Sequence, residues 1–170
     1  MRILNALLTI FLTLFSTTAC TTHVANSLQS KQEVSINTIP TNADVYMDGE
    51  FIGKTPMVLS LRSDVNHNIY FQKEGFKPTE EYLNTIYKHE KEPYVQFGLV
   101  KDLGYYYELS TDNVLTELTW ESLPETRGIN PFETMSSLIA KADNAKSSEN
   151  LSADEHKVII RQIVEFFNVN

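Results

Sequence analysis

The stretch of residues 39–78 reads IPTNADVYMDGEFIGKTPMVLSLRSDVNHNIYFQKEGFKP, and it decides the fold of the chain. Short runs of alternating apolar and polar residues are interrupted at regular intervals by Gly, Pro, Asn and Asp. Asp48-Gly49 is a strong hairpin signal, because the tightest hairpin turns need positive φ angles. Strands this short, with turn residues at this spacing, predict an all-β sandwich or barrel.

The individual strands follow from the same alternation. Val34 and Ile36 alternate with polar residues in a first strand that ends before Pro40. We expect further strands at 43–48, at 51–52 (broken by Gly53), at 58–61 and at 67–73, with a polar loop at 62–66. A last strand is predicted from 76 to 86, with Pro78 near its beginning.

Three blocks of this region together resemble a known family, the PEGA domain. The family pattern P-x-G-A-x-V-x-x-D-G is similar to residues 40–49, x-G-x-T-P to residues 52–56, and K-x-G-Y to residues 73–76. Asn42 stands where the family usually has Gly, and Asn is a frequent substitute for Gly at positive φ. The resemblance implies a small β-sandwich of short antiparallel strands, found mainly in exported or surface proteins. It also implies a binding or structural module with sugar or envelope contacts and no catalysis.

We interpret the motif residues as makers of turns, and so as structural. They are Pro40, Asn42, Asp48, Gly49, Gly53, Thr55, Pro56 and Gly75. For Asp48, a role as a metal ligand or acid is the alternative to a turn role.

Residues 1–19 have the order of a secretory signal peptide, with Arg2, then an apolar run from 3 to 15, then small residues. Residues 16–20 (STTAC) resemble the lipobox of bacterial lipoproteins, with Thr17 at the position usually held by Leu. The resemblance implies that Cys20 carries the lipid. Several acyl chains, at about 0.8 kcal/mol per buried CH₂, anchor a protein durably. The alternative is cleavage near Ala19, which gives a soluble periplasmic protein.

Residues 20–32 are small and polar, and we interpret them as a flexible tether between the lipid and the folded part. Thr21 after the cysteine is similar to the lipoproteins that are sorted to the outer membrane. The predicted location is therefore the outer membrane, facing the periplasm, and the membrane is a partner through the N-terminal lipid.

Composition excludes several classes of function. The 170 residues carry a net charge of −8, which repels phosphate backbones, so no nucleic-acid partner is expected. The single cysteine permits no intramolecular disulfide, and the four histidines have no spacing typical of metal ligands. We predict no metal site, no cofactor and no enzymatic activity, because no nucleophile–base pair or paired carboxylates are grouped in the sequence.

Residues 33–87 form the predicted PEGA-like sandwich, and 88–123 supply additional strands that close it. A strand at 94–99 and a final strand with Val114, Leu118 and Trp120 on one face are expected. Tyr105, Tyr106 and Tyr107 have two interpretations. Alternate tyrosines on a strand bury one face and expose the other, whereas an exposed pair could form a partner surface for a sugar or a protein.

Residues 124–170 are predicted to be a linker and two amphipathic helices. Asn130-Pro131 marks the first start, and Ser152 with Glu155 is a capping box that marks the second. An apolar face is expected on the first helix at Phe132, Met135, Leu138, Ile139 and Ala142. The helices form an αα-hairpin that packs on the sandwich or, alternatively, docks on a partner.

The sequence therefore predicts a mainly β protein followed by a C-terminal α-helical hairpin. Its expected function is that of a lipid-anchored cell-envelope lipoprotein whose PEGA domain is a non-catalytic binding or scaffolding module, in contact with a polysaccharide or an envelope protein. A purely structural role in an envelope, phage or secretion-associated assembly is the alternative. The oligomeric state is not predicted.

Overall fold

The computed structural model of the chain describes residues 29–88, 98–148 and 150–168. The chain is rich in short strands and ends in two long helices. The strands are β1 (Lys31–Ile39), β2 (Asp44–Met47), β3 (Glu50–Lys54), β4 (Met57–Arg62), β5 (His67–Gln72), β6 (Thr79–Leu83), β7 (Thr85–Tyr87), β8 (Tyr107–Leu109) and β9 (Asn113–Glu117). The helices are the four-residue α1 (Leu99–Asp102), α2 (Pro131–Ser147) and α3 (Ala153–Asn168).

Two sheets and a two-stranded ribbon carry these strands. A four-stranded antiparallel sheet has the order β3-β2-β5-β6, a three-stranded sheet has the order β4-β1-β9, and β7 pairs with β8. Alternate residues of the two sheets point into one core because side chains alternate along a strand. The core includes Val34, Ile36, Val45, Ile69, Phe71, Leu83 and Val114. The predicted mainly β fold with a helical hairpin is confirmed.

The pairing of β1 with β9 is parallel, and this differs from the predicted antiparallel strands. Ser35 lies opposite Asn113, and the register continues to Ile39 opposite Glu117. Parallel neighbours require a long connection. Here β2 to β8 and α1 lie between the two strands. The central strand of this sheet is therefore β1, with β4 on its other side.

Two strand predictions were wrong in detail. The single strand expected at 76–86 is two strands that are separated by Asn84. The first, β6, pairs with β5, whereas the second, β7, pairs with β8. Asn84 accepts a hydrogen bond at its carbonyl from Ser110 N–H (2.8 Å), where the partner changes. Gly53 does not end its strand, since the pairing of β2 with β3 continues to Lys54 across a bulge.

The segments that follow β7 in the chain also differ from the prediction. Of the strand expected at 94–99, residues 94–97 lie outside the described residues, and Leu99 begins α1 instead. The final strand ends at Glu117, although Val114, Leu118 and Trp120 are all buried as expected. Trp120 forms only an isolated bridge with Phe76.

The helix starts agree with the prediction in position but not in every contact. Ser152 N–H donates to Glu155 Oε2 (2.8 Å) and Glu155 N–H donates to Ser152 Oγ (3.2 Å), which is the expected capping box. At the start of α2, the side chain of Asn130 makes no capping hydrogen bond to the backbone and donates to Glu133 Oε2. Phe132, expected on the apolar face of this helix, is 84% exposed. The buried residue of α2 is Ala142, nearly three turns further along the helix.

The helical hairpin packs on the sandwich through α3. Ile159 and Ile163 are fully buried. Between them Gln162 accepts from Trp120 N–H (3.0 Å) and donates to the carbonyl of Leu118 (2.8 Å). No helix of the described residues is both long and apolar enough to cross a bilayer.

An ion pair between Lys73 and Glu155 (2.8 Å) joins the end of β5 to the first turn of α3. Burial raises the pKa of Glu155, but hydrogen bonds from Lys73 and Ser152 outweigh it, so this pKa lies below its usual value. The two contacts at Gln162 and Glu155 fix α3 at two points about two turns apart.

Candidate functional site

The hairpin between β2 and β3 turns on the expected residues. Asp48 has a φ of 51° and Gly49 a φ of 89°, and Asn42 in the preceding turn has a φ of 64°. Asp48 also reaches the neighbouring strand, because its Oδ1 accepts from Asn68 N–H (3.1 Å). Its Oδ2 lies 3.5 Å from His67 Nδ1. The side chain of Asp48 therefore connects the β2–β3 turn to β5 through non-covalent contacts.

Thr55 lies at the centre of a buried polar cluster with two proline turns. Both Ile39-Pro40 and Thr55-Pro56 are cis peptide bonds. Thr55 Oγ1 accepts from Ala43 N–H (3.1 Å) and lies 2.6 Å from Thr38 Oγ1, which itself bonds to the carbonyl of Pro40 (2.7 Å). This cluster connects β1 of one sheet with the β2–β3 region of the other, so it holds the sandwich together at one corner.

The remaining motif glycines occupy a bulge and a turn. Gly53 lies beside the bulge of β3, and Gly75 has a φ of 79° in the turn that follows β5. Cys20 lies outside the described residues, so the lipid-attachment prediction stays a prediction. The motif residues that the structure describes thus belong to turns, a bulge and one buried cluster.

The described histidines are held by ordinary structural contacts. His67 Nε2 lies 2.9 Å from the carbonyl of Arg62, with Asp48 on its other nitrogen. His156 Nε2 lies 2.7 Å from Asp143 Oδ1. In the described part of the chain, no three His, Cys, Asp or Glu side chains are placed to hold a metal ion.

The three consecutive tyrosines do not alternate along one strand, since only Tyr107 belongs to β8. Tyr107 packs edge-on against Tyr87 with ring centroids 5.6 Å apart, and Tyr106 lies 6.4 Å from the same ring. Tyr105 precedes them in a turn and is 46% exposed. Tyr106 and Tyr107 therefore pack within the ribbon, and the structure does not bring all three together as one surface.

A different set of aromatic rings lies on the outward side of the four-stranded sheet. We call this set the aromatic face; it consists of Phe51 on β3, Tyr46 on β2, Tyr70 on β5 and Tyr82 on β6. Tyr46 is opposite Phe51 on one side and opposite Tyr70 on the other. Its ring centroid is 5.5 Å from that of Phe51 and 6.0 Å from that of Tyr70, both edge-to-face. The rings therefore form a continuous row across three strands.

Strand alternation explains why these rings point outward. Val45 and Met47 are buried, so Tyr46 between them faces the other way; Ile69 and Phe71 place Tyr70 in the same manner. Phe51 is 57% exposed and Tyr82 is 60% exposed. Aromatic rings with polar tips favour sites that bind a partner.

Polar groups flank the row on both sides. Lys54 and Asp44 form an ion pair of 2.6 Å beside Tyr46, and Tyr82 donates to Glu80 Oε2 (2.8 Å). This hydrogen bond raises the pKa of Tyr82 above its usual value. Among the described residues, Asn68 Oδ1 is the buried side-chain acceptor without a hydrogen-bond partner, and it lies on the outward side opposite Tyr82.

A cavity of about 520 Å³ opens next to the row, at the end where β2 and β5 meet the turn at Gly75. That volume is within the range of small-molecule sites. Its lining is polar and acidic, with Tyr46 shared between the cavity and the row. The lining residues are Asp44, Tyr46, Gln72, Lys73, Glu74, Gly75, Phe76, Pro78 and Glu121.

Sequence reasoning missed the aromatic face because its rings come from four separate strands. Tyr46 and Tyr70 occupy outward positions of alternating runs, and that alternation could have identified each as exposed. Only the register of β2 with its two neighbours shows that they lie side by side. The sequence pattern drew attention instead to consecutive tyrosines.

Comparison with known families identifies the module. The model of the PEGA domain family matches residues 31–97, which contain β1 to β7 and the turn motifs described above. The chain therefore contains a PEGA domain. Searches of curated proteins and of solved structures found no match to this chain.

Proposed function

We propose that this PEGA-domain chain is a lipid-anchored lipoprotein of the cell envelope that binds envelope polysaccharide, without catalysis, on its aromatic face. The observation that carries the proposal is the row of Phe51, Tyr46 and Tyr70, with ring centroids 5.5 and 6.0 Å apart. The C–H faces of sugar rings are apolar and pack on aromatic rings, while their hydroxyl groups need polar partners beside the rings.

The surroundings of the row supply such polar partners. The Lys54–Asp44 pair, Gln72 and the acidic lining of the cavity can exchange hydrogen bonds with hydroxyl and amide groups. A row that crosses several strands also suits an extended chain of sugars better than a single one. Two residues of the PEGA turn motif help to fix the strands that carry the aromatic face. Asp48 accepts a hydrogen bond from β5, and Thr55 accepts one from Ala43 N–H before β2.

A contact with an envelope protein through the same face is the second candidate. Exposed aromatic rings are enriched where proteins bind each other, and Phe51 and Tyr82 fit that pattern. A purely structural role in an envelope assembly would use this contact without any glycan. The binding experiment below distinguishes these functions.

His67 and His156 each contact a carboxylate: His67 contacts Asp48 in the turn between β2 and β3, and His156 contacts Asp143 of the other helix. We propose that the module holds its ligand without transforming it.

Truncation of one ring on the aromatic face tests the polysaccharide proposal. We expect Phe51→Ala to weaken retention of the purified protein on insoluble murein or on surface polysaccharide about tenfold, because a stacked ring contributes roughly 1–2 kcal/mol. Phe51 is already 57% exposed, so the substitution should leave the fold intact. Circular dichroism and the thermal midpoint check that the fold is intact.

Phe132→Ala is the matched control, because it removes an equally large ring that is 84% exposed on α2, remote in sequence from the module. Retention of this variant should equal that of the unaltered protein. Equal retention of Phe51→Ala and the unaltered protein would contradict the aromatic face as the glycan site. No retention of any form on polysaccharide, together with capture of an envelope protein lost only in Phe51→Ala, would establish the protein contact.

The lipid anchor is tested separately at Cys20, the only cysteine of the chain. A palmitate analogue fed to bacteria that express the full chain should label the unaltered protein and leave Cys20→Ser unlabelled. The variant should also leave the membrane fraction, since one acylated residue supplies the anchor. Equal labelling of the two forms would refute lipidation and support the soluble periplasmic alternative.

A further inference from the structure

The N-terminal segment joins the fold beside a small projecting surface. We call this surface the tip; it consists of residues 98–105, which contain α1 and the turn before β8. Ser30 N–H donates to the carbonyl of Leu103 (2.8 Å), and Ser63 N–H donates to the carbonyl of Ser30 (3.1 Å). The residue that connects the N-terminal segment to β1 therefore lies directly against the tip.

The tip is held firmly to the sandwich. Gly104 has a φ of 78°, and a Cβ at this position would lie 2.7 Å from Asp64 Cβ, so the backbone there touches the β4–β5 loop. Asp64 is fixed by two hydrogen bonds from Arg62 (3.0 and 2.8 Å). The hydrogen bond from Arg62 holds the pKa of Asp64 below its usual value.

The exposed side chains of the tip are an apolar one, an aromatic one and a pair of opposite charges, Lys101 and Asp102, so the tip carries no net charge and its contact with lipid rests on Leu99 and Tyr105. Leu99 is 67% exposed and Tyr105 is 46% exposed. Lys101 is exposed between them. Tyrosine rings settle at the level of lipid headgroups, and a lysine stem can lie along acyl chains while its ammonium group meets phosphate.

Covalent geometry keeps the tip close to a lipid carried by Cys20. Nine residues lie between Cys20 and Ser30. A fully extended chain from one to the other spans at most about 35 Å. Ser30 cannot lie further than this from the bilayer surface, and the tip is its immediate neighbour. A weak contact is enough under such tethering, because the lipid raises the effective concentration of the tip at the membrane.

We propose that the tip rests on the lipid surface as a second contact beside the anchored Cys20; this rests on the lipid anchor of the proposed function. The acyl chains at Cys20 already hold the protein at the membrane, so the contact through the tip acts on its orientation and not on the strength of the anchor. The tip lies just beyond the first residue of β1, at the end of the sandwich, whereas the aromatic face is the side of a sheet. Contact through the tip therefore sets the orientation of the sandwich and leaves the aromatic face open to ligands.

Radical footprinting of a tethered protein tests this contact. The proposed mature chain, residues 20–170, keeps every described residue, and its Cys20 thiol can be coupled to maleimide lipid in vesicles of phosphatidylethanolamine and phosphatidylglycerol. Hydroxyl-radical oxidation of Leu99 and Tyr105 should fall about threefold or more relative to the free chain, because lipid excludes water from buried apolar groups. Leu115 and Phe132, which are exposed elsewhere, should react as before.

Two comparisons identify the source of any protection. The same chain coupled through Cys20 to maleimide-dextran should show no protection of Leu99 or Tyr105; protection there would overturn the proposal, since the contact would then need no lipid. Leu99→Ser together with Lys101→Ser should restore the oxidation of Tyr105 on vesicles. Unchanged oxidation of Leu99 and Tyr105 on vesicles would also overturn it. Because coupling is chemical, this result does not depend on whether cells acylate Cys20, which the palmitate labelling decides.

Discussion

Replacement of Gln162 by Leu is expected to lower the free energy of unfolding by about 3 kcal/mol and to loosen the helical hairpin from the sandwich. Gln162 is 8% exposed and bonds at once to Trp120 N–H, to the carbonyl of Leu118 and to Glu117 Oε1. Leucine fills a similar volume but leaves the two backbone groups buried without partners. Each such group costs about 1–3 kcal/mol.

Urea denaturation followed by circular dichroism gives the change in free energy, and the fluorescence of Trp120 reports the local contact. Trp120 is the only tryptophan of the chain, so its signal is unambiguous. Arg161→Gln is the control on the same helix, because it removes an exposed ion pair with Glu117 (2.9 Å) that contributes at most about 1 kcal/mol. If the two variants lose equal stability, the side-chain bridge of Gln162 does not fix the hairpin.

Thr55→Val should destabilise the sandwich by about 2–3 kcal/mol, although the two side chains have nearly the same shape. Valine cannot accept the hydrogen bond of Ala43 N–H, and that amide is fully buried. The hydroxyl of Thr38 also loses its neighbour at 2.6 Å. The loss affects the corner where the two sheets are joined, so we expect the whole module to unfold cooperatively at lower denaturant concentration.

Thr55→Ser provides the matched control, since it keeps the hydroxyl and removes one methyl group for a cost of about 1 kcal/mol. A double-mutant cycle with Thr38→Val measures the coupling between the two hydroxyls. Equal destabilisation by Val and by Ser at position 55 would show that packing of the methyl group, and not the hydrogen bonds, carries the effect.

The local chemistry of the turns was predictable from sequence because it depends on one or two residues. Asn42, Asp48 and Gly49 have positive φ angles, which Gly, Asn and Asp tolerate better than other residues. The alternation of Val45 and Met47 around Tyr46 likewise assigns buried and exposed positions without knowledge of the partner strands. The capping box at Ser152 is a third case, since both of its hydrogen bonds lie within four residues.

Pairing between strands was less predictable because it depends on residues far apart in the chain. Nothing near Asn113 indicates that β9 lies parallel to β1, and nothing near Asn84 indicates a change from one sheet to a ribbon. The aromatic face depends on the same kind of information, because Phe51, Tyr46 and Tyr70 become neighbours only through the register of three strands. Consecutive tyrosines at 105–107 were conspicuous in the sequence, but two of them pack against Tyr87.

The position of β1 bears on how the module can be isolated. The family match ends at residue 97, yet β1 pairs along Ser35–Ile39 with a strand that begins at Asn113. A fragment cut at the end of the match would leave these backbone N–H and C=O groups unpaired at a new sheet edge, which is the kind of edge that recruits other chains and aggregates. The sheet that contains β1 thus extends beyond the residues that the family model matches, and excision experiments should keep the chain at least through β9.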